Sequence, residues 1–511
     1  MIKTSPAEVY AEYLEAKSYN ASIDLEERVK TYENFFIGKQ WEGVNAPDMD
    51  KPVFNILKRV INYFIAMLAS DSVGISIRTF NRKETPQLRA INEALKEQIL
   101  QVMEQNAYPK LTRSMLRDAA VDGDGCIHLY YDTEEENADG YFGKIACELI
   151  NNTDVFFANP FECSAARQPY IIIASSRSTK SVISEMRKNG INVSDIESFT
   201  EDNYDERHYD YENRCTVLTK YYKQDGRIWF TKIVKDAVIK PPTCTMLKNY
   251  PVCYMNWERV KGSYHGAGVI EGLIPNQIAI NKMAAMAEQF IKQQAFPRVF
   301  YNRNKLKSWS GGIKPIGVTG DPNDILYTDR HATQMSAQVG EYIDRFIGNT
   351  KDLMGASDAA LGNVTPDNTS AIIAVQKSTA IPLELVRQEY YRFTEDFVRI
   401  CIDMMSCYYG TRTMYLDIEG KEYEKDIDFS AFNASRLNLN IDIGTAAYWS
   451  EITSSTTLDN LYKSGLIDPV TYLESLPQSS VANKTRLIDE ARKRKEENNG
   501  INGTAADGFA K

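Results

Sequence analysis

The chain is poor in the residues that hold metals or carry nucleophilic chemistry. Its four histidines never fall in an H-x-x-x-H pattern. Its eight cysteines (Cys126, Cys147, Cys163, Cys215, Cys244, Cys253, Cys401 and Cys407) contain no C-x-x-C pair. The usual zinc frameworks need such spacings, so no metal site is expected, and the thiols read as reduced, packed groups of a cytosolic protein. Also missing are a G-x-x-x-x-G-K-[ST] phosphate loop, a G-x-G-x-x-G turn after a strand, a G-x-S-x-G elbow and H-E-x-x-H. The expectation is therefore a protein that is not an enzyme, with no catalytic residue and no cofactor. The most apolar stretch, Ile61 to Ala69, is nine residues long, against about 20 for a membrane span. The first residues, MIKTSPAEVYAEYLEAK, lack the apolar core of a signal peptide. Positive charge is not in excess either. The formal net charge is −10, which argues against a general gripper of nucleic acid phosphates.

What is present is enough for a folded body. A length of 511 residues implies two to four structural units. With 43% hydrophobic and 25% charged residues the composition is that of an ordinary globular protein, not a disordered one.

Apolar spacing predicts helix over residues 5 to 36, with Ser5 as cap and Pro6 in the first turn. The segment FFIGKQW (Phe35 to Trp41) breaks it at Gly38. Helices are expected over Asn55 to Ser70, Gln87 to Gln105, Leu111 to Val121 and Lys180 to Lys188. Strands are expected over Val73 to Phe80, CIHLYYD after the DGDG turn (Asp122 to Gly125), Ile145 to Phe157 and Tyr170 to Ser175. Val217 to Tyr222 and Ile228 to Val234 flank Asp225-Gly226-Arg227 as a hairpin. Residues 194 to 213 are acidic and weakly patterned. The first 260 residues thus read as mixed α+β. After Gly268 the character changes. A long helix, Leu273 to Ala295, about 33 Å at 1.5 Å per residue, carries Ala284, Ala285 and Ala287 near its middle. Pro297 stops it. Residues 298 to 331 read as a compact β insert, and Gln334 to Met354 as helix. Gly355 to Ser370 reads as an exposed loop, followed by a very long helix, Ser370 to Tyr409, kinked at Pro382. Strands fill Met414 to Ile443, helices Ser450 to Glu497, and the tail after Asn498 reads as disordered.

Candidate chemistry is sparse. Asp122-Gly123-Asp124-Gly125 resembles half of a calcium loop but lacks the required glutamate, so a β-turn is the expectation. The acidic run Asp132 to Glu136 reads as a solvated hairpin tip. His265, in GSYHGAG, has no nucleophile or orienting carboxylate nearby in sequence, and the glycines there let the backbone turn into the following helix. Arg492 to Lys495 sit among four acids, as on a solvated helix face. Residues 297 to 331 hold six Lys or Arg against three Asp. Either that insert meets an acidic partner or DNA, or its lysines keep it soluble.

The order helix, small β insert, helix, loop, long kinked helix resembles the portal proteins of tailed bacteriophages. FFIGKQW is similar to that family's aromatic-Gly-x-x-Trp element. MNWERVKGSYHGAGVIEGLIPNQIAINKMAA (Met255 to Ala285) resembles the approach to its stem, with a glycine cluster, Pro-x-Gln and then Asn-Lys. NTSAIIAVQKSTAIPLELVRQEYYRFTEDFVRICIDMMSCYYG (Asn368 to Gly410) resembles its long helix, and LYKSGLIDPVTYLESLP (Leu461 to Pro477) its crown. The likeness covers roughly residues 30 to 495, in family order.

That resemblance implies an α+β, predominantly helical portal fold assembled as a ring. Its parts would be a wing (1–267), a first stem helix (268–296), a clip (297–333), a second stem helix (334–354), a tunnel loop (355–370), a long kinked helix with its return to the wing (371–446) and a crown (447–497), before the tail (498–511). It implies a homododecamer at one capsid vertex of the virion, built in the host cytoplasm, with duplex DNA in its channel independent of sequence and no membrane. The implied partners are the terminase large subunit, the major capsid and scaffolding proteins and a head-completion adaptor. The tunnel loop would present Asp358, Asn363, Thr365, Asp367 and Asn368 to DNA. It has no Lys or Arg, so a duplex should not bind it tightly. Lys282, Lys292 and Lys351 are candidates for sparse basic rings in the stem, or else sit between subunits or in solvent. Arg298, Arg303, Lys305, Lys307 and Lys314 would meet partners at the clip. Another phage connector or tail ring component, and an enzyme with an unrecognised site, are the alternative readings.

Overall fold

The structure, a computed structural model, describes residues 3–47, 49–69, 73–79, 86–136, 140–191, 214–235, 237–295, 300–302, 316–319, 337–353, 383–418, 421–431, 437–443, 458–475, 487–488 and 491. It is mixed α+β, about half helical. The elements are α1 (Pro6–Ser22), α2 (Leu25–Ile37), α3 (Ile56–Ala69), β1 (Val73–Thr79), α4 (Pro86–Gln105), α5 (Tyr108–Asp122), β2 (Asp124–Glu136), β3 (Phe142–Ile150), β4 (Val155–Phe157), β5 (Tyr170–Ser178) and α6 (Thr179–Lys188). Then come β6 (Arg214–Gln224), β7 (Arg227–Val234), β8 (Ala237–Cys244), β9 (Val252–Asn256), α7 (Ile274–Ala295), β10 (Phe300–Asn302), β11 (Ile316–Val318), α8 (Ala337–Leu353), α9 (Glu384–Tyr408), β12 (Thr411–Ile418), β13 (Lys421–Asp428) and β14 (Leu437–Ile443). The chain divides into two units, 1–69 with 77–438 and 70–76 with 439–511.

In the larger unit, β4 to β8 form a five-stranded antiparallel sheet in sequential order. The β6–β7 turn takes Asp225 and Gly226 at φ 53° and 72°, the doubly left-handed geometry that a two-residue hairpin prefers. Both faces of this sheet are covered. On one, Val9 and Tyr13 of α1 pack on Phe156, Ile172, Leu218 and Ile233. On the other, Val182 and Met186 of α6 pack on Val217, Val234 and Ile239. Lys220 lies buried on the α1 side and pairs with Glu12, its ammonium 4.3 Å from the centre of the Tyr170 ring. Burial pulls that ammonium's pKa below its ordinary value, against the pull of Glu12. A second antiparallel sheet, β3-β2-β9, lies against α5 and α9, where the Tyr108 and Phe397 rings meet at 4.7 Å.

Most expected elements form. The N-terminal helix is an exception: it breaks at Ile23–Asp24, where Asp24 turns left-handed at φ 53°, so two helices replace one. Strands β8 and β9 were not anticipated. Pro241 and Pro242 hide β8, which tolerates them because it is the edge strand of its sheet. Glu134 and Glu135 of the acidic run are exposed at the end of β2, in ion pairs with Lys188 and Lys144. All eight cysteines are free thiols, and Cys126, Cys215, Cys253 and Cys401 are buried. In the insert, β10 and β11 pair in parallel. Residues 194–213, Pro382 and the tail after Asn498 lie outside the described residues. In the smaller unit, β1 pairs with β14. Helical turns at 458–463 and Pro469–Ser475 are joined through Gly465 and Asp468, whose carboxylate accepts from Thr471 N at 3.2 Å. Both lie in the stretch Ser450 to Glu497 expected to be helical.

The DGDG segment is not a free β-turn. α5 runs through Asp122, Gly123 caps it at φ 100°, and β2 starts at once. A methyl group on Gly123 would stand 2.5 Å from Gly266 O, and one on Gly266 would stand 2.7 Å from Gly123 O, so the two glycine loops interlock with no room for side chains. Asp124 ties them together. Its carboxylate accepts from Asn256 Nδ2, Gly266 N and His265 Nδ1, each at 2.7 Å. His265 Nε2 lies 3.2 Å from Asn20 Oδ1. Val269 N donates to Ala120 O at 2.8 Å. The approach to α7 is thereby laced to the end of α5.

Asp122 next door bears a cost. Burial, then the negative charges of Asp118, Glu33 and Asp124 against the opposing Arg117, push its carboxyl up to about 8. Arg117 is already shared by Glu33 and Asp118, and Asp122 Oδ1 has no hydrogen-bond partner among the described residues. A carboxyl whose folded pKa is raised keeps its proton in the native state while the unfolded chain loses it. Stability therefore falls as pH rises from about 4 to about 8. Asp122→Asn should melt at a higher temperature than the parent at pH 8, with the difference shrinking as pH falls towards 4. Melting curves across that range check this, and a constant or reversed difference contradicts it.

Candidate functional site

The organisation of α7 and α8 is where function is expected. α7 is fixed at its root by carboxamides. Gln277 and Asn281, 1% and 3% exposed, stand one turn apart on the same helix face. Gln277 Nε2 donates to Phe54 O at 2.6 Å and to Asn281 Oδ1 at 3.0 Å, while its Oε1 accepts from Ile56 N at 3.3 Å. Asn281 Nδ2 donates to Gln40 Oε1 at 2.6 Å, and its Oδ1 accepts from Phe54 N at 3.3 Å. Gln40 passes the connection on to Phe35 O at 2.9 Å. Asn55 Nδ2 reaches Phe35 O and Phe36 O at 3.2 and 2.9 Å, and Trp41 Nε1 reaches Pro52 O at 2.8 Å. The FFIGKQW element and the Pro-x-Gln, Asn-Lys pattern are thus two halves of one buried network. Arg28 of α2 adds an ion pair to Glu271, at 2.9 Å, just before α7.

α8 packs beside α7 and α3. Ile343, Phe346, Ile347 and the buried Thr350, at helical spacing, make its inner face, while Tyr342 and Leu353 stay exposed. α7 is apolar on more than one side: Ile280, Ala284 and Ala285 are buried, whereas Met286 and Ile291 are exposed. Exposed apolar side chains on a helix that already has a packed face mark a surface that assembly would cover. Of the three alanines near the middle of α7, Ala287 is half-buried, while Ala284 and Ala285 are enclosed in this chain's own packing.

The three candidate lysines differ. Lys282 is exposed, with no ion pair among the described residues. Lys292 pairs with Asp50, so its charge is met within the chain. Lys351 is half-buried and engaged in an interaction of its own. The loop candidates Asp358, Asn363, Thr365, Asp367 and Asn368 lie outside the described residues, as do Arg298, Arg303, Lys305, Lys307 and Lys314 of the insert. Neither group can be placed against the helices. Among the described residues no group of three or more His, Cys, Asp or Glu could hold a metal ion, and no helix is long and apolar enough to cross a membrane. Gln40, Gln277 and Asn281 were missed as functional positions. The available signal was two amides at i and i+4 on a face otherwise made of Ile and Ala.

A family profile described as phage P22-like portal protein matches residues 174–447. The chain belongs to the P22-like phage portal protein family. The matched span runs from β5 to beyond β14 and takes in α7, the insert, α8 and α9. No curated protein matches the chain. Membership supports a phage portal role, in a capsid-associated oligomeric assembly.

Replacing Asn281 by Leu takes away the partner of the buried Gln40 Oε1 and of the part-buried Phe54 N. The cost should be about 2–6 kcal/mol in urea unfolding, at roughly 1–3 kcal/mol per orphaned group. A loss under about 0.5 kcal/mol, within the range of an ordinary surface substitution, would remove the network from this role.

Proposed function

We propose that this portal protein forms the ring at one capsid vertex through which double-stranded DNA is packaged and ejected. The helix pair α7–α8 would line the passage. The insert 297–333 would dock the terminase and then the head-completion adaptor. The loop 355–370 would face DNA, and the chain itself would hydrolyse nothing. The observation that carries this reading is the pairing of α7 with α8 on a root fixed by Gln277, Asn281 and Gln40. A rigidly rooted helix pair with apolar side chains left exposed is suited to close packing against copies of itself. Contacts between unlike faces of successive copies close into a ring where the rotation allows it. The net charge of −10 per chain supports passage without adhesion. Lys282 is the lysine of the three best placed to meet an anionic duplex. Major capsid and scaffolding proteins would contact the outside of the ring, and a twelve-fold assembly is the family expectation.

Negative-stain images of the purified chain should show rings with a broad and a narrow end. A monodisperse compact monomer at high protein concentration would end the proposal. Shortening the loop 355–370 should leave such rings intact while lowering DNA packaging or retention. Unchanged packaging in that variant would take the loop out of the channel.

A further inference from the structure

Residues 214–261 carry ten Lys and Arg against three Asp and Glu, a net +7 within a chain of −10. Part of this charge gathers at one end of the five-stranded sheet, around the β6–β7 turn. Lys223 is exposed; its ammonium donates to Ala166 O at 2.6 Å, beside the exposed Arg167, and lies 5.1 Å from the centre of the Tyr250 ring. Arg227 donates to Met246 O. Lys248 is exposed two residues further on. The opposing acids are few. Asp225 sits in the turn, Glu162 lies 3.6 Å from Arg167, and Asp403 is buried with one oxygen used by Lys248 N and Asn249 N at 2.8 and 3.0 Å.

Beside Arg227 and two residues before Lys248 stands Met246, 57% exposed and at φ 62°. Few residues other than glycine adopt that conformation, and it persists only where the surroundings force it. Here they do. Ile228 N donates to Leu247 O at 2.8 Å and Ile228 O accepts from Thr245 N at 3.0 Å. One residue of β7 therefore faces both Thr245 and Leu247, and Met246 is squeezed out between them as a bulge. Thr245 and Leu247 are buried. Thr245 Oγ1 donates to Ile228 O at 2.6 Å, and Thr245 O accepts from Tyr408 at 2.7 Å. Bulges re-aim a side chain, and methionine is an adaptable apolar contact. The result is a rigidly held apolar knob flanked by Arg227, which donates to its carbonyl, and by Lys248 two residues on, at the same end of the sheet as Lys223.

We propose that this end of the sheet docks an acidic segment of another protein, with an apolar side chain of that segment seated on Met246. These cations supply charge complementarity and encounter rate, and Met246 the buried anchor. A phosphate backbone would use the cations alone and has no need of an apolar knob built at the expense of backbone strain. Asp403 and Tyr408 belong to α9, so the docking loop is tied directly to the long helix.

Fluorescence anisotropy on the full chain at low salt tests this, with two labelled peptides. One has a single leucine between runs of four glutamates, and in the other serine replaces the leucine. A duplex DNA of twenty base pairs serves as a third probe. The leucine peptide should bind about tenfold more tightly than the serine peptide. Met246→Gly, which removes the knob at a φ that glycine adopts freely, should abolish that difference without loss of fold. Lys223→Glu with Lys248→Glu should weaken both peptides about tenfold. Equal binding of the two peptides, or no binding of either, overturns the proposal. So does duplex DNA that binds more tightly than both peptides and is insensitive to Met246→Gly, which would make the patch a phosphate-binding face.

Discussion

The direction of a helix is only as well fixed as the contacts at its root. In this portal protein the root of α7 is polar, and that choice has a physical cost and a physical return. Burying carboxamides among apolar neighbours is unfavourable unless every donor and acceptor is met. Gln277 and Asn281 meet that condition through Gln40 and the Phe54–Ile56 backbone. Apolar packing alone would tolerate small rotations and slides. A set of hydrogen bonds at fixed angles does not, so the network specifies direction as well as stability.

The approach to that helix is constrained in the same spirit. Gly123 and Gly266 bring two backbones into contact that any side chain would block. Asp124 then gathers Asn256, Gly266 and His265 around one buried carboxylate. The His–Asp pair is chemically reminiscent of a catalytic relay, yet its far nitrogen faces Asn20 and not a nucleophile. It joins the end of α5, the β2–β9 sheet and the approach to α7. The neighbouring Asp122, crowded by Asp118 and Glu33, is the point where this junction stores unfavourable charge.

Much of the fold was legible in the sequence because the helices and most strands carry clean periodicities. α3, α5, α6, the β6–β7 hairpin and α7 appear close to their expected limits. Periodicity failed where another rule took over. Asp24 interrupts a continuous helical pattern by turning left-handed, and the edge position of β8 overrides its prolines. The site was only partly legible. The Pro-x-Gln and Asn-Lys spacing was visible, and so was FFIGKQW, but not that they touch. The lysines could be named but not sorted, since pairing with Asp50 depends on a segment more than 200 residues away in sequence.

The sequence by itself determined most of the element order, the absence of catalytic and metal-binding patterns, and the family likeness, because all three reside in local residue types and spacing. Tertiary structure alone decided which polar residues are partners, which lysine is paired within the chain, and that Met246 is thrust out beside Arg227 and Lys248. Those outcomes depend on contacts between distant segments. The free energy of burying an amide, a charge or a strained residue is set by what the rest of the chain places around it.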